Sequence, residues 1–191
     1  MKTVILVCHA QVDETNPLVA DIDRILTPDG EKAAAQLADQ LVDLKTEINV
    51  LLSSPAVGAR STADAFSAKL SVLIQTDRRI FDAGVQDLQD VVRSLDNRHE
   101  TIILVGHNPS LSEFVRYLTD RRDDDLPPAS AAVVDLAVNG WRHVVIGKGM
   151  LRATLLPKVE EVPVEVPEET PQAASRNWKD LLYFWRDKPS A

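Results

Sequence analysis

The chain has 191 residues, a formal net charge of −8 and 45% hydrophobic residues, which suits one domain of about 150 residues plus an appendage. The acidic balance argues against nucleic acid, whose binding needs clustered Lys and Arg. The single cysteine excludes an internal disulfide and fits a reducing, cytoplasmic setting, and no run approaches the roughly 18 apolar residues of a membrane span.

The first element is Thr3 to Gln11, TVILVCHAQ. Its β-branched and apolar run predicts a strand buried on both faces, ending abruptly at Cys8-His9-Ala10. The run is shorter than the roughly 7–15 apolar residues of a secretory signal, and the core needs it as a strand. Ligands of open α/β sheets bind beyond the carboxyl ends of central strands, so His9 sits where a reactive group belongs. Taken alone, His9 reads more simply as a residue that caps the strand and touches solvent. Gln11 to Asp23 reads as a loop over the strand ends, with turn signals at Asp13 and Asn16-Pro17. Arg24 follows, either facing a pocket or pairing on the surface with Asp21 or Asp23. Thr27 and Pro28 predict a helix start, and Ala33, Leu37, Leu41 and Leu44 give that helix an apolar face.

Asn49 to Leu52 predicts a second buried strand, ending at Ser53-Ser54-Pro55, with an alanine-rich helix from Ala56 to Leu70. Val72 to Gln75 is a candidate short strand. Arg78 to Asp87 reads as a loop carrying Arg79, Asp82 and Asp87, before a helix from Val85 to Leu95. Thr101 to Asn108, TIILVGHN, repeats the first pattern: a buried strand ending in His107. Asn108 is expected to cap a helix that begins at Pro109 and runs through Ser110 to Thr119, placing His107 beside an anion-attracting helix N-terminus. Two strand-end histidines among four in the chain point to a shared anion site. Alternation over Ala131 to Val138 predicts an antiparallel strand. Asn139-Gly140 predicts a hairpin with Trp141 to Ile146 as the return strand, and Leu151 to Leu156 is one further candidate strand. No His/Cys group has metal-ligand spacing and no phosphate-binding glycine loop is present, so neither metal nor cofactor is expected.

The chain is therefore divided into a domain at 1–157, a Pro/Glu-rich linker at 158–172 and a C-terminal segment at 173–191. That last segment places Trp178, Leu181, Leu182 and Trp185 on one stripe of a short helix. An isolated helix this short is marginal, so the stripe is expected to dock on its own domain, on a partner protein or on a membrane surface.

LVCHAQ, RILTPDGEKAAAQLADQL, LLSSPAVGARSTADAF and LVGHNPSL together resemble the histidine phosphatase superfamily, and within it the small SixA-like phosphohistidine phosphatases. The resemblance implies a phosphoglycerate mutase-like fold: a three-layer α/β sandwich with a mostly parallel central sheet and helices on both faces. It implies His9 as the phosphorylated nucleophile, His107 as the second pocket histidine and Arg24 as a phosphate contact, to which the helix N-terminus at Asn108 adds a further anion contact. Asp82 is a possible general acid, or else a solvated loop carboxylate. The implied ligand is a phosphorylated protein or a small phosphate compound. Two departures stand out. The arginine that the family places before its nucleophile is Cys8 here. Read without a gap, Gly58 falls where the family carries its second clamping arginine. Arg60 lies two residues further on, about 200° round a helix and so pointing away. Low or absent turnover is the expectation. The alternatives are an active enzyme that uses Arg24 or Arg60 as a substitute clamp, and an interaction protein that docks through its C-terminal helix. Cys8 is expected to be a packing residue, since no cation flanks it to lower its pKa.

Overall fold

The computed structural model describes residues 1–122 and 125–157. The linker and C-terminal helix expected from sequence lie outside the described residues. Six strands form one sheet: β1 (Lys2–Cys8), β2 (Val50–Ser53), β3 (Ile74–Thr76), β4 (Thr101–Gly106), β5 (Ala131–Leu136) and β6 (Gly149–Leu155). Four helices accompany them: α1 (Pro28–Asp43), α2 (Val57–Leu70), α3 (Val85–Arg93) and α4 (Ser110–Thr119). The sheet order is β3-β2-β4-β1-β5-β6. β1 to β4 run parallel, and β5 and β6 join antiparallel.

Side chains alternate across a strand, and both faces of this sheet are covered. Val4, Leu6 and Cys8 of β1 join Leu88, Val91, Phe114 and Leu118 from α3 and α4 in one core. Ile5 and Val7 join Leu37, Leu41 and Phe66 from α1 and α2 in the other. That is why β1 and β4 read as continuous apolar runs rather than alternating ones. The architecture is the expected three-layer sandwich.

α1 starts as its sequence indicates. Thr27 accepts a hydrogen bond from the Gly30 amide at 3.0 Å, and Pro28 occupies the first turn. Gly30 is required by packing: a Cβ there would lie 2.3 Å from the Gln11 carbonyl oxygen. The start of α1 is thereby pressed against the loop that leaves β1.

Two local expectations are overturned. The hairpin at Asn139-Gly140 does not form, and Trp141–His143 is a short 3-10 turn instead. Trp141 is only 1% exposed, its indole N–H donates to the His99 carbonyl at 2.9 Å, and Val144 is buried beside it. Burying those two side chains outweighs the turn preference of Asn-Gly, and β6 becomes the antiparallel partner of β5. The second correction concerns α4. It starts at Ser110 with Pro109, not Asn108, in the capping position. Asn108 still contributes from one residue earlier, its Oδ1 accepting from the Ser112 hydroxyl at 2.7 Å and the Ser112 amide at 3.3 Å.

Candidate active site

Register alone builds the centre of the site. β1 and β4 pair in parallel from Thr3 opposite Thr101 to Cys8 opposite Gly106, so the next residues, His9 and His107, leave the sheet together. The His9 amide continues the ladder by donating to the Gly106 carbonyl at 3.1 Å. The imidazole centroids lie 4.8 Å apart, edge to face at 61°.

The ring of His9 is oriented by its own backbone. Nδ1 lies 2.7 Å from the Ala10 carbonyl oxygen. A carbonyl only accepts, so Nδ1 carries a proton, which makes Nε2 the lone-pair nitrogen of the neutral ring. Ala10 is held in turn by the Thr62 hydroxyl, which accepts from its amide at 3.0 Å and donates to the Gly58 carbonyl at 2.7 Å. The loop after β1 is thus tied to the first turns of α2.

Burial governs the charge of His107. Burial first, and then the neighbouring His9, push its pKa down to about 4, with Asp82 and Asp21 opposing. It is therefore neutral at pH 7. Its Nε2 lies 2.7 Å from the Ser54 hydroxyl at the end of β2, and the Phe81 ring stands edge-on to it at 5.5 Å.

Around this pair is a cavity of about 280 Å³ lined by His9, Val12, Glu14, Asp21, Arg24, Ala56, Gly58, Ala59, Phe81, Asp82, His107 and Asn108. Of the residues singled out from sequence, the fold brings His9, His107, Arg24, Asn108, Gly58 and Asp82 together here. Arg24 lines the cavity, and its Nε lies 2.9 Å from Asp21 Oδ1. That contact is short but misaligned, because the buried Nε has no hydrogen-bond partner. Asn108 is largely committed. Its backbone N–H faces the Cys8 sulfur, its Oδ1 serves Ser112 and its amide donates to the Leu126 carbonyl, leaving one amide hydrogen for a ligand.

Arg60 is absent from the lining, and its Nη1 donates to Thr76 Oγ1 at 3.0 Å. Cys8 also lies outside it. The side chain is 4% exposed within the α3/α4 core, and burial pushes its thiol up to about 11, so no thiolate forms near neutral pH. Gly58 borders the cavity directly. A Cβ there would lie 3.7 Å from His9 Nδ1 but only 2.5 Å from Val12 Cγ1, so Val12 fills the space a longer side chain needs.

Sequence reasoning missed Ser54, Phe81 and Val12. Ser54 was accessible, because β2 ends beside β4 and any residue just past its end faces the same mouth. Phe81 and Val12 arrive through turns that no periodicity marks. Also unexpected is the sign of the lining: Glu14, Asp21 and Asp82 surround one cation, Arg24. Among the described residues, no group of three or more His, Cys, Asp or Glu side chains is arranged to hold a metal ion, and no helix is long and apolar enough to cross a membrane.

A three-layer sheet whose two central parallel strands end in facing histidines gives this chain the phosphoglycerate mutase-like fold. The sequence agrees over part of its length, since residues 4–90 match the model of the Histidine phosphatase superfamily (branch 1). Among solved structures the chain is similar to a candidate phosphohistidine phosphatase SixA from Nakamurella multipartitia, at TM-score 0.73 and 22% identity over 83% of this chain and 97% of that one. A corresponding candidate SixA from Agrobacterium tumefaciens gives TM-score 0.69 and 22% identity over 82% and 99%. A protein histidine phosphatase SixA complexed with tungstate gives TM-score 0.71 and 19% identity over 81% and 97%. These likenesses concern the fold. No curated protein matches the chain in sequence. The resemblance to the superfamily thus holds in sequence over residues 4–90, and the likeness to SixA structures holds in fold.

Proposed function

We propose that the domain binds a phosphoryl group, on a phosphohistidine-bearing protein or a small phosphate compound, at the His9/His107 pair, and turns it over slowly or not at all. The observation that carries this reading is the paired imidazoles, 4.8 Å apart, beside an arginine whose buried Nε has no hydrogen-bond partner. An anion at that position would give Arg24 the bond it lacks.

The chemistry follows from the protonation states. His9 Nε2 holds the free lone pair and would attack phosphorus, forming an N–P bond as the leaving group departs with its electron pair. Water would then release phosphate and regenerate the ring. Neutral His107 would offer a hydrogen bond rather than a charge, and Asp82 is the candidate proton donor to the leaving group. Phosphoryl transfer depends on positioning and on stabilising negative charge. Here Cys8 and Gly58 stand where the family has arginines, and three carboxylates line the mouth. Loss of one stabilising donor costs about 10²–10³ in rate. Turnover on aryl phosphate and phosphohistidine is therefore expected to be lower than that of an arginine-bearing relative by at least that factor. A second reading, an active enzyme with Arg24 as substitute clamp, is favoured by the same Nε, which pairs with Asp21 in charge but makes no hydrogen bond.

Steady-state kinetics separate the two. The restoring variant is Gly58→Arg with Val12→Ala, since Val12 otherwise blocks position 58 and the Cys8 side chain faces the α3/α4 core rather than the cavity. Under the first reading, turnover rises in the restored protein and is lost on adding His9→Ala. Robust wild-type turnover that disappears in His9→Ala alone, and falls in Arg24→Ala, would establish the second reading and refute the first.

A further inference from the structure

An anion site lined by three carboxylates and one arginine lacks positive charge, and a cation without an ion pair stands on the turn that follows β3. That turn, Arg78–Ile80, is a single 3-10 turn capped by Asp77. Two adjacent arginines occupy it, with different fates. Arg79 is locked: its amide and guanidinium both bond the Asp77 carboxylate, at 2.9 Å from N to Oδ1 and 2.7 Å from Nη2 to Oδ2, and Nη2 also reaches Ser94 Oγ at 3.3 Å. Arg78 has no such anchor. Among the described residues it makes no ion pair, and its guanidinium rests 4.7 Å from the centroid of the Phe81 ring.

Phe81 is the wall of the candidate site. The ring that carries Arg78 meets the His107 ring edge-on at 5.5 Å, and Phe81 lines the cavity. One aromatic ring therefore separates an unpaired guanidinium from the histidine pair. An exposed cation–π contact is weak, so it positions the guanidinium without holding it. A guanidinium's planar fork also matches a phosphoryl group's oxygens two at a time.

We infer that Arg78 is the cation that closes on the bound phosphoryl group, sliding from the face of Phe81 into the mouth of the His9/His107 cavity in place of the arginines missing at Cys8 and Gly58. This rests on the phosphoryl-binding reading above and assigns its clamp to an element remote in sequence from both family positions. The locked Arg79 fixes the turn, and the unlocked Arg78 supplies the reach.

The test uses the full chain and sodium tungstate as the probe, titrated calorimetrically at pH 7 and low salt. Arg78→Ala and Arg78→Gln are expected to weaken tungstate binding about tenfold or more, the scale of losing one charge-assisted hydrogen bond. Arg78→Lys should recover part of the affinity. Arg60→Ala, the same change of charge on a side chain bonded away to Thr76, should stay within twofold of wild type. Circular dichroism confirms that the fold is kept. Wild-type affinity in both Arg78→Ala and Arg78→Gln would overturn the assignment, as would an equal loss in Arg60→Ala. If wild type binds tungstate and only Arg24→Ala abolishes binding, the pocket stands and the Arg78 clamp falls. If wild type does not bind tungstate at millimolar concentration, the phosphoryl-binding reading itself falls and takes the clamp with it.

Discussion

His107 titrates far from an ordinary imidazole, and stability should report it. Its pKa in the folded chain is about 4, against about 6.5 for an exposed histidine. Between those values the unfolded chain binds a proton that the folded chain refuses. The contribution of His107 is thus fully present above pH 6.5 and is lost as pH falls toward 4. Replacing His107 with glutamine removes the titration, so its melting temperature should fall less steeply than that of wild type from pH 6.5 to 4.5. Parallel slopes for the two proteins would show that His107 is not held neutral by burial. The affected carboxylates act elsewhere: Arg98 holds Asp96 down to about 2, and Arg79 holds Asp77 below its usual value, so both stay ionised through that window. Catalytic variants carry a related lesson. Gly58→Arg looks harmless on a helix, where arginine is preferred to glycine by about 1 kcal/mol, yet Val12 occupies the first atom's place.

Among the elements, the start of α1 makes the clearest stability comparison. Thr27→Ala removes a cap and should cost about 1 kcal/mol. Gly30→Ala should cost more, although alanine is the better helix former, because its Cβ would meet the Gln11 carbonyl at 2.3 Å and backbone must move. Urea denaturation of both variants decides the order, and a Gly30→Ala protein as stable as wild type would contradict the contact. The same element shows what the sequence makes legible. Thr27-Pro28 marks a helix start whatever the tertiary surroundings, and the bounds of α4 from Ser110 to Thr119 follow from periodicity. The two histidines are readable because each closes a strand whose burial is written in consecutive apolar residues. The return strand was misplaced because Asn-Gly states a local preference, while Trp141 is settled by a core partner distant in the chain. Phe81 and Arg78 escaped for a similar reason: a 3-10 turn has no repeat to detect.

On the scale of the whole molecule, composition alone motivates dividing the chain after residue 157, where the Pro/Glu-rich stretch begins. A protein truncated after Pro157 should melt within a few degrees of the full chain. A fall of many degrees would make residues 158–191 part of the stable fold instead. The order β3-β2-β4-β1-β5-β6 could not be read from the chain, because it depends on which non-consecutive strands pair and no local pattern encodes that. Once it is known, the location of the cavity follows, since both central strands point their carboxyl ends to the same side.

The sheet also interleaves the two halves of the chain. A break in the turn near Arg98, between α3 and β4, would leave β1, β2 and β3 with His9 on one piece, and β4, β5 and β6 with His107 on the other. β1 lies between β4 and β5, and β4 lies between β2 and β1, so each piece lacks the neighbours its own central strand requires. Neither piece can assemble half a site. Mixing them would restore the proposed tungstate binding only where β1 inserts in register, which would make the domain a sensitive reporter of strand complementation.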